Sequence, residues 1–334
     1  MPKKKNPTIY DVAKRSGISI STISRVLNNP EKVNPETRAI VLDAIDKLGF
    51  VPKAEARARA LSKTNRIGVI TPFFTAPSFV QRLRGVASAL AASNYELVIY
   101  TIDSSDRIQG YLSSIPFTGN LDGLIVMSLP SQKKDAQRLV EHGIETVLIE
   151  YSHPGLNCIE IDDFQGGQMA AEHLLGKGHQ LIAFVGDEEP HDFEIHPAGM
   201  RLKGFQDAMK KARVNIPNEY IRLFANTQEY AMQAARELLS LPTPPTAIFA
   251  GADIQALNVL KVAREMGVKV PEQLAVIGFD DIDSAEYLDL TTIRQHLDES
   301  GRLAAEILLS RIGESNRPLQ HIKLPLQLIE RLTT

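Results

Sequence analysis

The sequence predicts an α/β protein in which a three-helix, helix-turn-helix head precedes a larger core of two doubly wound subdomains with parallel sheets. Three observations predict this class. Residues 1–51 show helical periodicity around tight turns, apolar runs of strand length alternate with amphipathic helical segments after residue 65, and the charge changes sign between these parts. A chain of 334 residues is long enough for two medium cores and a small satellite domain.

The head is expected to contain three short helices. Thr8 is positioned to cap the first helix, and Ser16-Gly17-Ile18 forms a turn before Ser19, which is positioned to cap the second. The third helix opens at Asn34-Pro35 and closes at Gly49. The expected apolar faces consist of Ile9, Val12 and Ala13 on the first helix, Ile23, Val26 and Leu27 on the second, and Ile40, Val41, Ala44, Ile45 and Leu48 on the third. Two helices joined by a tight, glycine-containing turn and backed by a third make a helix-turn-helix unit.

The charge distribution distinguishes the head from the core. Residues 1–65 hold 13 Lys and Arg against 6 Asp and Glu, a net charge of +7, which leaves −10 for the rest of a chain whose total is −3. A basic end attracts phosphates and an acidic body is repelled by them. The distribution therefore favours nucleic-acid binding through the N-terminal end alone.

The second helix carries the side chains expected to contact DNA. With Ile23, Val26 and Leu27 in the small core, its outer face presents short hydroxyls and Arg25. Short hydroxyls allow close approach to phosphates and base edges, and Arg is long enough to contact guanine through two hydrogen bonds. A serine-rich surface helix without a partner explains the hydroxyls but not the basic head around them. The predicted DNA-contacting residues of the head are Thr8, Ser19, Ile20, Ser21, Thr22, Ser24, Arg25 and Asn28.

The core has the alternation typical of parallel sheets covered on both faces. The apolar runs are IGVIT (67–71), ELVIYT (96–101), DGLIVM (122–127), TVLIE (146–150), QLIAFVG (180–186), PTAIFAG (245–251) and LAVIGFDD (274–281). Ligands of such folds bind outside the carboxyl ends of the strands, so two facing subdomains create a cleft for a small molecule.

Several of these segments, in this order, resemble the LacI/GalR family, to which the lactose and purine repressors belong. The resemblance begins with TIYDVAKRSGISISTISRVLNN and VNPETRAIVLDAIDKLGFVP and continues through DGLIV, GGQMAAEHLLGKGHQLIAFVG, RLKGF, AVIGFDD and LTTIRQ. It covers nearly the whole chain. It implies a type-I periplasmic-binding-protein-like core in which three crossovers join the lobes.

The resemblance also implies a domain organisation. We expect a DNA-binding domain at 1–51, a hinge helix and linker at 52–65, and an effector-binding and dimerisation core at 66–334. The N-subdomain of that core is expected at 66–164 and 297–324, and the C-subdomain at 165–293 and 325–334.

The function implied by the resemblance is that of a ligand-responsive transcriptional regulator, with a repressor as the expected type. It is expected to bind a palindromic operator as a homodimer, with a tetramer left open, and to hold a small effector, a sugar or sugar derivative, in the cleft. No cofactor or metal is expected. Whether the effector releases or recruits the protein stays open.

The resemblance carries effector contacts onto specific positions. In relatives, the residue that matches Arg201 contacts the effector, and the residue that matches Asp280 accepts hydrogen bonds from ligand hydroxyls. Glu150 stands at the position of another polar contact, where the lactose repressor has Asp. An arginine, carboxylates and an aromatic face suit a polyhydroxylated ring. The predicted effector-binding residues are Ser78, Phe79, Glu150, Arg201, Phe224, Asp253, Asp280 and Gln295.

Two departures from the family pattern bear on this transfer. Ala252-Asp253 stands where the lactose repressor has Asn-Asp, so one amide contact is missing and a different kind of effector is possible. The hinge reads PKAEARARAL, with a doubled Ala-Arg, instead of Pro-Asn-x-x-Ala-Arg-x-Leu. Counting from Pro52 places Arg59 at the residue that wedges into the minor groove, and matching Ala-Arg-x-Leu places Leu61 there. An apolar wedge suits base unstacking better, which favours Leu61.

Two acidic and imidazole clusters suggest metal binding as an alternative. They are Asp280, Asp281 and Asp283, and His191, Asp192, Glu194 and His196. Neither has the spacing of a zinc or EF-hand site, so solvated or ligand-contacting loops are favoured. The sequence shows no nucleophile elbow, Walker loop or dinucleotide fingerprint, and catalysis is not expected.

The main rival function is a sugar-binding or sugar-modifying protein with a vestigial head, against which the basic segment and the hinge argue. The single Cys158 excludes an intrachain disulfide framework, and no secretory signal or apolar run of membrane-spanning length is present. We therefore expect a cytoplasmic protein, located at the bacterial nucleoid.

Overall fold

The computed structural model describes residues 7–28, 33–48, 50, 64–129, 133–141, 143–188, 195–224, 228–314 and 316–334. By the contacts within it, the chain divides into two compact units, Met1–Thr64 and Asn65–Thr334. We call them the head and the core.

The head contains helices α1 (Ile9–Ser16), α2 (Ile20–Asn28) and α3 (Pro35–Leu48). The Asp11 carboxylate accepts hydrogen bonds from the backbone N–H and the hydroxyl of Thr8, at 2.8 and 2.7 Å, and so fixes the start of α1. Gly17, at φ 70°, ends α1 in the left-handed conformation that glycine adopts without strain. The Ser19 hydroxyl accepts from the backbone N–H of Thr22 at 3.3 Å, which caps α2. The predicted helix-turn-helix arrangement is confirmed.

The head has a small core of aliphatic side chains, and one predicted member is absent from it. The buried residues are Val12, Ile23, Val26, Val41 and Ala44, against which Ile9, Ala13, Leu27, Ile45 and Leu48 pack. The expectation for Ile40 was wrong, because its side chain is 49% exposed. Adjacent helical residues are rotated by about 100°, so the stripe centred on Val41, Ala44 and Leu48 leaves Ile40 at its edge. The predicted helix end at Gly49 lies outside the described residues.

The core alternates strands and helices through most of its length. In chain order these are β1 (Arg66–Pro72), α4 (Pro77–Leu90), β2 (Glu96–Ile102), α5 (Ser105–Thr118), β3 (Gly123–Met127), α6 (Lys133–Glu141), β4 (Glu145–Ile149), β5 (Asn157–Glu160), α7 (Asp163–Gly176), β6 (Ile182–Asp187), α8 (Pro197–Lys211), a 3₁₀ turn (Asn218–Tyr220), β7 (Ile221–Phe224), α9 (Gln228–Leu239), β8 (Ala247–Ala250), α10 (Asp253–Glu265), β9 (Ala275–Asp280), α11 (Asp283–Tyr287), β10 (Thr291–Arg294), α12 (Leu297–Gly313), β11 (His321–Lys323) and β12 (Gln327–Ile329).

The strands form two six-stranded sheets, each the centre of one lobe. The first sheet has the order β11-β5-β4-β3-β1-β2 and is parallel throughout. The second has the order β12-β10-β9-β8-β6-β7 and is parallel except for β12, which pairs antiparallel with β10. We call the lobes the first lobe and the second lobe.

The chain passes between the lobes three times, after β5, after β10 and after β11. Helix α12 therefore returns to the first lobe, where Ala304 and Leu308 share a buried cluster with Val69 of β1. Helices cover both faces of each sheet, which explains why β3 is buried along its whole length. The predicted fold class is confirmed. Within the described residues, no helix is long and apolar enough to cross a membrane.

Candidate functional site

The core contains a cavity of about 680 Å³ whose walls come from the carboxyl ends of both sheets. In doubly wound folds this edge is where ligands bind, because loops and helix N-termini converge there. The lining includes Phe73, Ser78, Phe79, Arg82, Ser128 and Glu150 from the first lobe, Asp187, His196, Arg201, Phe224, Gln255 and Asp280 from the second, and Gln295 from the crossover after β10. A molecule in the cavity contacts both lobes at once.

The structure brings most of the predicted effector-binding residues together in this cavity. Ser78, Phe79, Glu150, Arg201, Phe224, Asp280 and Gln295 all line it. Asp253 does not. Whether these side chains contact an effector stays a prediction.

Asp253 instead braces the second lobe. Its carboxylate is fully buried and accepts hydrogen bonds from the hydroxyl of Thr292, at 2.6 Å, and from the backbone N–H of Ile282, at 2.9 Å. These bonds tie the start of α10 to β10 and to the loop after β9. Burial, reinforced by the neighbouring Asp280 charge, raises the pKa of Asp253 well above its ordinary value.

The first lobe contributes a buried ion pair. Arg82, on α4, donates to Glu150, and it also donates to Ser128 Oγ at 3.3 Å and to Gln295 Oε1 at 2.9 Å. Glu150 follows β4 with a left-handed backbone, φ 66°, and also accepts from the Ser128 hydroxyl. Burial alone would raise the pKa of Glu150, but the Arg82 guanidinium and the Ser128 hydroxyl hold it below its ordinary value. Glu150 is therefore ionised at neutral pH.

The second lobe contributes a second buried arginine, Arg201 on α8. Its Nε donates to Asp163 at 2.8 Å, and its Nη1 donates to the Gly251 carbonyl at 2.6 Å and lies 3.7 Å from Asp280. The guanidinium stacks 3.6 Å from the centre of the Phe279 ring. Several groups thus hold this side chain at the cavity wall before any ligand binds.

Opposing effects act on the ionisation of the buried Asp280 carboxyl in the cavity. Burial raises its pKa to about 6, although Arg201, Arg82 and the amide of Gln295 favour the charged form. Gln295 Nε2 donates to Asp280 while its Oε1 accepts from Arg82, so one amide connects the charged groups of the two lobes.

Sequence reasoning missed Arg82, although the sequence contains a signal for it. Arg82-Leu83-Arg84-Gly85 on α4 repeats in Arg201-Leu202-Lys203-Gly204 on α8. The two arginines occupy corresponding positions in the two lobes, and both line the cavity. Gln255, Asp187 and Ser128 were also missed, because single polar residues after a strand or within a helix have no distinguishing pattern.

The head presents its predicted DNA-contacting side chains mostly to solvent. Thr8, Ser19, Ile20, Ser21 and Arg25 are exposed, and Thr22 and Ser24 are half-buried. The hydroxyls of Ser19, Ser21 and Thr22 form a hydrogen-bonded group at the start of α2, with oxygen distances of 2.9 Å. Arg59, Leu61 and the side chain of Asn28 lie outside what the structure describes.

The acidic residues considered as metal ligands are engaged with arginines. Asp281 accepts from Arg294 at 2.6 Å and from Arg331 at 2.7 Å, and Asp283 accepts from Arg84 at 2.6 and 3.0 Å. His196 lines the cavity, whereas His191, Asp192 and Glu194 fall outside the described ranges. Among the residues that the structure describes, no group of His, Cys, Asp and Glu could hold a metal ion.

Known proteins resemble both units of the chain. Residues 8–53 match the family model described as bacterial regulatory proteins, lacI family, and residues 171–334 match that of a periplasmic binding protein-like domain. The ribose operon repressor of Escherichia coli is 31% identical over 97% of this chain and 98% of its own length. The transcriptional repressor PurR of Escherichia coli is 33% identical over 97% of this chain and 96% of its own length.

A solved structure with a ligand is also similar to the core. A transcriptional regulator from Enterococcus faecium with bound ribose is 29% identical and superimposes with a TM-score of 0.69. The match covers 80% of this chain and 98% of that protein.

Proposed function

This chain belongs to the LacI family of bacterial regulatory proteins, and on that premise we propose that it is a repressor that binds a palindromic operator as a homodimer and takes a neutral sugar or sugar derivative as its effector. Members of the family are ligand-responsive DNA-binding transcriptional regulators, and so is this chain. The observation that supports the effector class is the cavity between the lobes, where two arginines and the carboxylates of Glu150, Asp187, Glu188 and Asp280 meet phenylalanine side chains.

The chemistry of the cavity suits a polyhydroxylated ring. Glu150 and Asp280 offer oxygens that accept from hydroxyls, Arg201 donates, and Phe79 and Phe224 offer apolar faces to the C–H side of a sugar. The ribose operon repressor and the ribose-bound regulator support the same class. The cavity is also large enough for a sugar, since small-molecule sites span about 300–1,000 Å³.

In the proposed complex with DNA, α2 enters the major groove and Arg25 contacts a guanine edge. A homodimer presents two such helices, so the operator would consist of two half-sites separated by about one helical turn or its multiples. We further propose Leu61, rather than Arg59, as the residue that enters the minor groove at the operator centre.

The hinge assignment has a direct test. Leu61→Ala is expected to weaken operator binding at least tenfold more than binding to random DNA, because an apolar wedge acts only where the duplex is kinked. Arg59→Ala should weaken both to a similar extent, since a phosphate contact is independent of sequence. Fluorescence anisotropy on both DNAs measures the losses, and equal losses for Leu61→Ala would remove Leu61 from this role.

The proposed control of DNA binding operates through the lobes. An effector that touches both lobes favours one relative lobe position, and that position favours or disfavours the operator-bound dimer. Such coupling is reciprocal at equilibrium, so the operator must change effector affinity by the same factor by which the effector changes operator affinity.

Selection from a random DNA pool, followed by titration of the selected fragment with a panel of sugars and nucleobases, tests the proposed function. We expect a palindromic fragment whose affinity changes with one neutral sugar. Binding that never enriches a sequence and merely weakens with salt would support the sugar-binding rival with a vestigial head. A nucleobase as the active compound would overturn the effector class alone.

We propose no catalytic activity for the cavity, because Glu150 is engaged with Arg82, Asp280 accepts from Gln295, and the relatives are transcriptional repressors. A cytoplasmic location at the nucleoid follows from the proposed role.

A further inference from the structure

Three of the residues that line the cavity have a buried polar atom without a hydrogen-bond partner among the described residues, and one of these atoms is Nε2 of His196, at the start of α8. The other two belong to different lobes. They are Oε1 of Gln255, on α10, and Nε of Arg82, on α4. Both side chains are 2% exposed, and both line the cavity. A buried polar atom without a partner costs free energy, so this pair indicates where a ligand supplies hydrogen bonds.

The orientation of the Gln255 amide follows from its neighbour. Its Nε2 donates to Asp187 Oδ1 at 2.7 Å. The reversed amide would place an oxygen against a carboxylate oxygen, so the Nε2 side must face Asp187. Oε1 is left as an acceptor, and a ligand must bring a donor to it.

Arg82 offers the complementary group. Its two terminal nitrogens donate to Ser128, Glu150 and Gln295, whereas Nε has no described acceptor. Its charge is balanced by Glu150 at contact distance. Arg82 therefore presents a single directed N–H rather than an unpaired cation.

We propose that Gln255 and Arg82 form a hydroxyl-binding subsite that selects neutral polyols against their phosphorylated and carboxylated derivatives; this deepens the proposed function and rests on it. One hydroxyl of the ligand donates to Gln255 Oε1, and another oxygen of the same ligand accepts from Arg82 Nε. A carboxylate or a dianionic phosphate has no proton for Oε1, and the carboxyl groups of Asp187, Asp280 and Glu150 in the same cavity disfavour a second negative charge there. The subsite also restores an amide to a cavity that has Ala252 where the lactose repressor has Asn, since Gln255 lies one helical turn further along α10.

The test compares neutral sugars with their anionic derivatives on the full chain. A panel of pentoses, hexoses and disaccharides, each paired with its phosphate and its sugar acid, is screened by thermal shift, and binders are titrated by calorimetry. We expect a neutral sugar to bind at least tenfold more tightly than either derivative. Gln255→Met, which has similar volume but replaces the amide oxygen by a weakly accepting sulfur, is expected to lower affinity for that sugar by about tenfold.

Matched variants distinguish the subsite from a general effect of substitution. Gln233→Met removes an exposed amide that pairs with Glu237 on α9, away from the cavity, and should bind like the wild type. Gln255→Leu provides a second apolar substitution if Gln255→Met does not fold. Wild-type affinity in a folded Gln255 variant, or tighter binding of an anionic derivative, would overturn the subsite while leaving a sugar effector intact. If no sugar in the panel binds the wild-type chain, the effector class proposed above fails as well.

Discussion

At the scale of single residues, the ionisation of Asp280 in the cavity makes the stability of the folded protein depend on pH. Its pKa in the folded protein is about 6, above the ordinary 3.8, so folding disfavours its ionised form. The resulting penalty on stability is absent below about pH 4, grows as pH rises to 6 and is constant above that. Asp280→Asn removes the penalty and suits the left-handed backbone at this position, φ 123°.

We therefore expect the difference in unfolding free energy between Asp280→Asn and the wild type to shift in favour of the variant by about 1.4 kcal/mol between pH 5 and pH 7.5. Urea denaturation at the two pH values measures it. Asp162→Asn serves as the control, because a hydrogen bond from Lys323 lowers the pKa of Asp162 and its titration is complete below pH 5. A pH-independent difference for Asp280→Asn would refute the raised pKa.

Arg25 tests DNA recognition at the same scale. The side chain is exposed on α2, so Arg25→Ala should leave the melting temperature unchanged. Loss of a two-bond contact to guanine costs about 1–3 kcal/mol, which corresponds to roughly 5- to 150-fold in operator affinity, with a smaller loss on random DNA. Lys47→Ala, which removes an exposed partner of Asp43 on α3, is the control. Equal losses on operator and random DNA would make Arg25 a phosphate contact.

Cavity residues could be predicted from the family resemblance both inside and outside its matching segments, since Ser78, Phe79 and Phe224 stand outside those segments and line the cavity. Arg201 and Asp280 stand within longer matching segments, and both line the cavity. Asp253 matches the family pattern equally well but faces the interior of its lobe, because two donors from neighbouring segments hold its carboxylate there. The contacts of Gln255 with Asp187 depend on tertiary packing across 68 residues of sequence, which no local pattern specifies.

At the scale of secondary structure, paired glycines set how closely the helices cross. A Cβ on Gly301 of α12 would lie 1.9 Å from the Arg82 carbonyl oxygen of α4, and one on Gly85 would lie 1.9 Å from the Asp298 carbonyl oxygen. In the second lobe, a Cβ on Gly167 of α7 or on Gly204 of α8 would likewise lie 1.9 Å from a backbone carbonyl oxygen of the other helix. The crossings therefore hold the helices that carry both cavity arginines.

Gly301→Ala is expected to destabilise the protein by about 3 kcal/mol, because the backbones must separate to admit a methyl group. Gly313→Ala, on the exposed end of the same helix with nothing near its Cβ, should instead stabilise by up to about 1 kcal/mol. Urea denaturation measures the free energy of unfolding of both variants. Equal effects would show that helix propensity, rather than close approach, determines the response at residue 301.

Seven strands, β1, β2, β3, β4, β6, β8 and β9, were predictable from sequence because each overlaps a continuous apolar run, and all of those runs form strands of the two sheets. Strands β5, β7, β10, β11 and β12 have three or four residues each and were not predicted from apolar patterning. Strand β8 also has four residues but lies within the apolar run 245–251, whereas these five strands lack such a run and depend on the neighbouring strand for their conformation.

At the scale of the whole core, Arg84 connects the lobes outside the cavity. Its guanidinium donates to Asp283 of the second lobe at 2.6 and 3.0 Å, and to Asp298 at the start of α12 with both distances 2.7 Å. Gln81 accepts from the backbone N–H of Asp283 beside it. Exposed pairs contribute about 0.2–1 kcal/mol each, but here the contribution favours one lobe arrangement over others.

Asp283→Asn is therefore expected to reduce effector affinity about two- to fivefold, because a smaller fraction of the unliganded molecules has the lobe arrangement that binds the effector. Raising NaCl from 50 to 500 mM should have the same effect as the substitution, because salt screens the Arg84–Asp283 pair. It should weaken effector binding by the wild type and have little effect on the variant, in which that pair is already absent. Asp103→Asn breaks an exposed pair with Arg107 within the first lobe, and it should leave affinity and salt response unchanged. Calorimetric titrations at both salt concentrations measure the effector affinities of the wild type and the two variants. An Asp283→Asn chain with wild-type affinity and wild-type salt dependence would mean that the Arg84–Asp283 pair does not set the lobe arrangement, which then rests on the buried Arg82–Gln295–Asp280 connection and the Gln81 hydrogen bond.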